Sequence, residues 1–121
     1  PYDWDKVDTD VDHAIVCQIV RGLMMQGDVR IIFFSGRDGS CFDKTMGWLN
    51  ERFGDLAPIY LYMRQAGDQR NDAIVKEEMY YEHIDGRFHV RAVLDDRPRV
   101  CKMWRSLGFN VIQVGNPYID F

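Results

Sequence analysis

Residues 29–34 read VRIIFF, a nearly continuous apolar run followed by Ser35-Gly36. A strand that is apolar on both faces must be covered on both, which is the position of a central strand in a parallel sheet. The rest of the chain supplies the covering elements. Val11, Ile15, Ile19 and Leu23 recur every four residues and predict a first helix closed by Gly27, with Thr9 or Asp10 as its cap. Beyond the 29–34 strand, residues 35–40 read as a loop. Met46, Leu49 and Phe53 then mark a second helix ending at Gly54. A second strand at 59–63 leads into a polar loop at 64–70, and Asn71 or Asp72 opens a third helix running to about Ile84. Residues 90–94 form a third strand ending in Asp95-Asp96. Pro98 suits the first turn of a fourth helix carried by Val100, Trp104 and Leu107 and closed by Gly108, before a last strand at 110–114. This alternation predicts an α/β chain: a three-layer sandwich with a mostly parallel, Rossmann-like sheet, forming a single domain over residues 1–121.

The charge balance narrows the class of partner. With 15 basic and 19 acidic residues the net charge is -4, which argues against coating long tracts of nucleic acid but leaves room for a local anion site. The three cysteines, Cys17, Cys41 and Cys101, are odd in number and form no CxxC pair. A disulfide framework or structural zinc is therefore not expected, and a reducing, cytoplasmic setting fits better. No apolar stretch reaches the roughly 20 residues of a membrane span, so no membrane association is expected. The acidic opening Pro1-Tyr2-Asp3-Trp4-Asp5 is unlike a signal peptide, and the missing initial methionine suggests a fragment.

In parallel α/β sheets, ligands bind at the carboxyl ends of the strands. Three groups of residues fall there. Asp95 and Asp96 are adjacent carboxylates that repel unless they share a cation, and hard oxygen ligands of this kind suit magnesium. Acids at a helix N-terminus give a simpler reading of the same pair. Ser35-Gly36-Arg37 places a hydroxyl, a flexible backbone and a guanidinium where they can cradle a phosphate, although a plain strand-to-loop turn has the same composition. Lys76 follows Asp72 by four residues, so the two share a helix face. An exposed ion pair there is worth a few tenths of a kcal/mol, and that is the plainer reading of the pair. Arg64 and Arg70 lie on the same strand-end side, as phosphodiester contacts or as parts of a solvated loop. Trp48 and Trp104 stand at helical spacing in apolar faces and read as core, and the three histidines share no metal-like spacing.

Taken in order, a hydroxyl after one strand, a lysine on a later helix and paired acids after the next strand resemble the second, third and fourth motifs of the haloacid dehalogenase-like phosphohydrolases. The segments Asp8-Thr9-Asp10-Val11, Ser35-Gly36-Arg37, DAIVKEE at 72–78, LDDR at 94–97 and Met103-Trp104-Arg105 look like the 3′-phosphatase domain of bacteriophage polynucleotide kinase/phosphatase. That resemblance extends over nearly the whole chain. It implies a magnesium-dependent phosphomonoesterase that turns nucleic-acid 3′-phosphate ends, DNA or RNA, into 3′-hydroxyls through an aspartyl-phosphate intermediate. By position, Ser35 would hydrogen-bond a phosphoryl oxygen and Arg37 would contact the phosphate or the adjacent nucleotide; Gly36 between them, with Arg64 and Arg70 on the same strand-end side, completes the candidate substrate-binding residues. Lys76 would bridge phosphate and nucleophile, Asp72 would support Lys76 or the arginines, and Asp95 and Asp96 would hold magnesium, with Asp96 the essential partner.

The family's DxDGT nucleophile motif is not in this sequence. Asp8-Thr9-Asp10-Val11-Asp12 has no apolar strand before it and reads as the acidic start of a helix. In the family the nucleophile strand lies between the strands corresponding to 29–34 and 90–94. The resemblance therefore implies that the first strand lies upstream of this chain and that the chain alone is inactive. It also implies that a kinase domain can accompany it. The rival expectations are a small-molecule phosphatase of the same superfamily and a non-catalytic fragment or end-binding module.

Overall fold

The computed structural model describes residues 11–115 and Tyr118. The predicted cap at Thr9 or Asp10 and the motif segment before residue 11 lie outside the described residues. The chain divides after Ala66 into two compact units. Each holds one pair of parallel strands, as the alternation of helix and strand predicts.

The first unit carries helix α1 (Val11–Met24), strand β1 (Ile32–Asp38), a single 3-10 turn (Gly39–Cys41), helix α2 (Phe42–Phe53) and strand β2 (Tyr60–Arg64). Strands β1 and β2 are parallel, with Ile32 opposite Tyr60 and Phe33 opposite Leu61. Leu49, Phe53 and Leu61 form the core, with Phe33 and Met63 packed against it. The α1 face in this core is Cys17, Val20 and Met24, not the predicted stripe. Ile15 and Ile19 are instead 50% and 45% exposed. At about 100° per residue Ile15 and Ile19 stand about 160° around the helix from Cys17, so the predicted stripe is a second apolar face opposite the one that packs. Arg21 fixes the far end of α1 by forking onto Asp55 at 2.9 and 3.0 Å.

The second unit carries helix α3 (Asp72–His83), strand β3 (Val93–Asp95), helix α4 (Pro98–Ser106) and strand β4 (Val111–Gln113). Strands β3 and β4 pair in parallel, with Asp95 opposite Gln113. Asn71 caps α3 by accepting the Ala73 N–H at 2.8 Å, as its position before the apolar pattern predicts. Pro98 opens α4, where its missing N–H leaves no further donor unpaired. Val75, Met79, Val100, Cys101, Met103 and Trp104 are buried, and Tyr80, Trp104 and Phe109 meet edge-on or tilted. Strand β3 begins at Val93 rather than residue 90 because only 93–95 face β4.

Candidate functional site

In the first unit the candidate site begins inside β1. The predicted 35–40 loop is in fact a continuation of the strand as far as Asp38. Ser35 pairs with Met63, but the next pair is Asp38 with Arg64, so Gly36 and Arg37 are extra residues on one strand. Such bulges re-aim side chains and are common beside functional sites. Ser35 is only 6% exposed. Its Oγ accepts the Arg37 N–H at 3.2 Å, and among the described residues nothing accepts its own proton. A buried hydroxyl in that state has one donor left for an incoming oxygen. The chain then turns sharply. Asp38 accepts the Ser40 N–H at 2.9 Å, and a Cβ on Gly39 would stand 2.7 Å from the Arg64 carbonyl oxygen. Glycine at 39 thus lets the turn close on the end of β2, where Arg64 sits. Gly36, Arg37 and Arg64 lie toward the carboxyl ends of this strand pair, and Ser35 stands just before them at the middle of β1.

In the second unit the structure gathers Asp72, Lys76, Asp95 and Arg97. Asp72 and Lys76 are each 8% exposed, so the plain surface ion pair is replaced by a buried one. Lys76 Nζ lies 3.7 Å from Asp72 Oδ2 and 3.2 Å from Asp95 Oδ2, and Arg97 Nη1 lies 3.4 Å from Asp72 Oδ2. Two cations thus face two carboxylates. Charges taken this far from water persist only when paired and hydrogen-bonded in this way.

Asp95 is the centre of the cluster. Its Oδ1 accepts the backbone N–H groups of Asp96 at 2.9 Å and Arg97 at 3.4 Å. Its Oδ2 accepts from Lys76 Nζ and, at 3.3 Å, from Trp104 Nε1. The sequence gives no role to Trp104 beyond the core. Its one legible signal is that a buried indole N–H needs an acceptor. Cys101, fully buried, points its thiol at the Asp95 carbonyl oxygen at 3.5 Å. Burial, followed by the Asp95 charge, pushes that thiol up to about 11.

Both Asp95 oxygens are engaged by protein donors, and Asp96 is a partly buried residue directly after it at the end of β3. Among the described residues no three His, Cys, Asp or Glu side chains form a metal-holding group. Magnesium takes one or two carboxylates and completes its shell with waters and phosphate oxygens, so this donor set fits it through Asp96. Arg70 has a different neighbourhood from the one expected of a substrate contact. Its guanidinium forks onto Asp68 at 3.1 and 2.8 Å and also bonds Glu78. The Asp68 and Glu78 carboxylates hold it protonated beyond its ordinary range. No helix among the described residues is long and apolar enough to cross a membrane.

Comparison with known proteins bears on the same residues. The family model for the polynucleotide kinase PNKP phosphatase domain matches residues 1–119. A protein of Autographa californica nuclear polyhedrosis virus, described as a bifunctional polynucleotide kinase/RNA ligase, is 34% identical over 122 residues. That alignment takes in 99% of this chain and 17% of the viral protein. Two solved structures of the Pnkp1/Rnl/Hen1 complex contain a similar chain. One, of the RNA repair complex, gives a TM-score of 0.77 at 31% identity over 87% of this chain and 33% of the other. The second gives 0.81 at 30% identity over 98% and 40%. The chain thus spans well under half the length of each of these proteins.

Proposed function

The chain belongs to the family of polynucleotide kinase phosphatase domains, and on that premise we propose that it removes 3′-phosphates from nucleic-acid ends in a magnesium-dependent reaction. The observation that carries this reading is the buried Lys76–Asp95 pair, with Asp96 beside it at the end of β3. A buried ammonium on a strand-end carboxylate is costly as mere structure, and it suits a site that must neutralise a phosphate dianion. The RNA ligase and the RNA repair complex among the similar proteins favour RNA ends over DNA ends. A 3′-hydroxyl is the group a ligase requires, and a kinase domain on the same polypeptide would prepare the opposing 5′-end.

The residue roles in this proposal follow from the chemistry each group retains. Ser35 donates its remaining hydroxyl proton to a phosphoryl oxygen, and Arg37 in the β1 bulge and Arg64 at the end of β2 would contact the substrate. Lys76 balances charge on the phosphoryl group while Asp72 and Asp95 hold its ammonium in place. Asp96 would hold magnesium, which when bound neutralises phosphoryl oxygens and lowers the barrier to nucleophilic attack. Arg70, forked onto Asp68 and Glu78, would reach a phosphodiester only by exchanging a carboxylate for it.

We further propose that the nucleophile, an aspartate of the DxDGT type, comes from a strand upstream of residue 1, completing one haloacid dehalogenase-like domain with residues 1–121. Among the described residues β1 is paired only with β2 and β3 only with β4, so each offers an edge to a further strand. The attacking carboxylate would form a bond to phosphorus as the 3′-oxygen leaves and takes a proton from the second aspartate of the motif. Water then cleaves the aspartyl phosphate. Without that segment the chain would be inactive. The setting proposed is cytoplasmic.

A substrate panel tests the proposal. The full-length protein with magnesium should release phosphate from 3′-phosphorylated oligonucleotides faster than from 5′-phosphorylated ones or from sugar phosphates. Preference for sugar phosphates would make it a small-molecule phosphatase, and end binding without turnover would make it a binding module. Either outcome contradicts the proposal.

A further inference from the structure

We propose that Trp104 is a positioning residue for this reaction: its indole N–H fixes the Asp95 carboxylate, and Asp95 in turn fixes the Lys76 ammonium. The inference rests on the phosphatase reading above and adds a residue to it.

The argument begins with what the indole supplies. Trp104 is 3% exposed and packs against Tyr80 and Phe109 at ring separations of 6.2 and 6.1 Å. A phenylalanine would serve that packing. The indole adds a single donor, and it lies 3.3 Å from Asp95 Oδ2. The same oxygen accepts Lys76 Nζ at 3.2 Å. Backbone N–H groups hold Oδ1, so Trp104 is the donor that fixes the remaining rotation of the carboxylate from the helix side. A carboxylate held at both oxygens presents a fixed acceptor to a flexible lysine.

Lys76 has three donors and two carboxylates within 4 Å, Asp95 and Asp72. Its third donor has no acceptor among the described residues. The direction of that third N–H is set by the two carboxylates, and Trp104 sets one of them. Outer-shell partners that orient metal ligands alter affinity or activity by about 10–100-fold when deleted, and a loss of the same order is expected for a partner that orients Lys76.

The test uses Trp104→Phe in the full-length protein. We expect kcat on a 3′-phosphorylated oligonucleotide to fall about 10–100-fold, with KM and the magnesium half-saturation within about twofold of wild type. With lysines labelled at Cε, the two Hε protons of Lys76 should be inequivalent in wild type and merge in Trp104→Phe. A purely structural Trp104 would lower the melting temperature and leave kcat and the Lys76 signal intact, which would overturn the proposal. Should Trp104→Phe fail to fold, the Trp104 Nε1–H resonance in Lys76→Arg decides: a shift from its wild-type position supports the shared carboxylate, and an unmoved resonance refutes it. If wild type does not turn over 3′-phosphates, the phosphatase reading fails, while the Lys76 signal still tests the positioning contact.

Discussion

Lys76 Nζ stands 3.2 Å from Asp95 Oδ2 and so ties helix α3 to the end of strand β3. Their side chains are only 10% and 9% exposed, which takes the pair out of the class of surface salt bridges. Removing one partner leaves buried charge without compensation, at a cost of about 3–5 kcal/mol. Lys76→Ala should therefore lose stability of that order in urea denaturation. It should also lose at least about a hundredfold in phosphate release under conditions where it remains folded, because the charge balance of a preorganised site goes with it. A loss below about 1 kcal/mol would return the pair to the exposed class.

Asp95 and Asp96 should separate by mutation. Asp96→Asn keeps the shape of the β3–α4 turn and should raise the magnesium half-saturation at least about tenfold, with little change in stability without metal. Asp95→Asn should destabilise the protein with or without magnesium, because four donors converge on its carboxylate. Magnesium titration followed by melting temperature checks both. An Asp96→Asn variant with an unchanged magnesium response would contradict the assignment.

Gly39→Ala tests the turn beside the β1 bulge. The new Cβ would stand 2.7 Å from the Arg64 carbonyl oxygen and 3.1 Å from the Ala66 nitrogen, both backbone atoms. Overpacking of this kind costs about 1–3 kcal/mol. Chemical denaturation should show that loss, and a neutral result would mean that the turn sits further from β2.

Cys101 gives a prediction in pH. Burial raises its thiol from 9.0 to about 11, so the folded state keeps the proton that the unfolded chain releases first. The contribution to stability is complete below about pH 9 and is lost as the pH rises toward 11. Denaturation curves across that window should fall less steeply for Cys101→Ala than for wild type. At pH 8, alkylation of Cys101 should require unfolding, since the side chain is fully buried. Equal slopes for the two proteins would contradict the shift.

Much of this was legible in the sequence, for identifiable reasons. VRIIFF and the run before Asp95-Asp96 mark two strands, which are half-buried rather than buried apart from Ser35, and Asn71 and Pro98 mark two helix starts, because local chemistry decides such features. The Asp72–Lys76 spacing showed a shared face but not its burial, which depends on Asp95, nineteen residues further on. Trp104 looked like core and is core, yet its donor finds a partner that only the folded chain brings near. Arg70 looked available because its clamp pairs it with Glu78, eight residues away, as well as with nearby Asp68. The face of α1 was misread because Ile15 and Ile19 are as apolar as the residues that pack, and period alone does not say which apolar face gains a neighbour.

The most direct measurement is release of labelled phosphate from a 3′-end-labelled RNA oligonucleotide by the full-length protein, with magnesium and after chelation, for wild type and Lys76→Ala. The account predicts release by wild type that stops on chelation and is lost in Lys76→Ala. No release by wild type in magnesium, or release equal in Lys76→Ala, would contradict it.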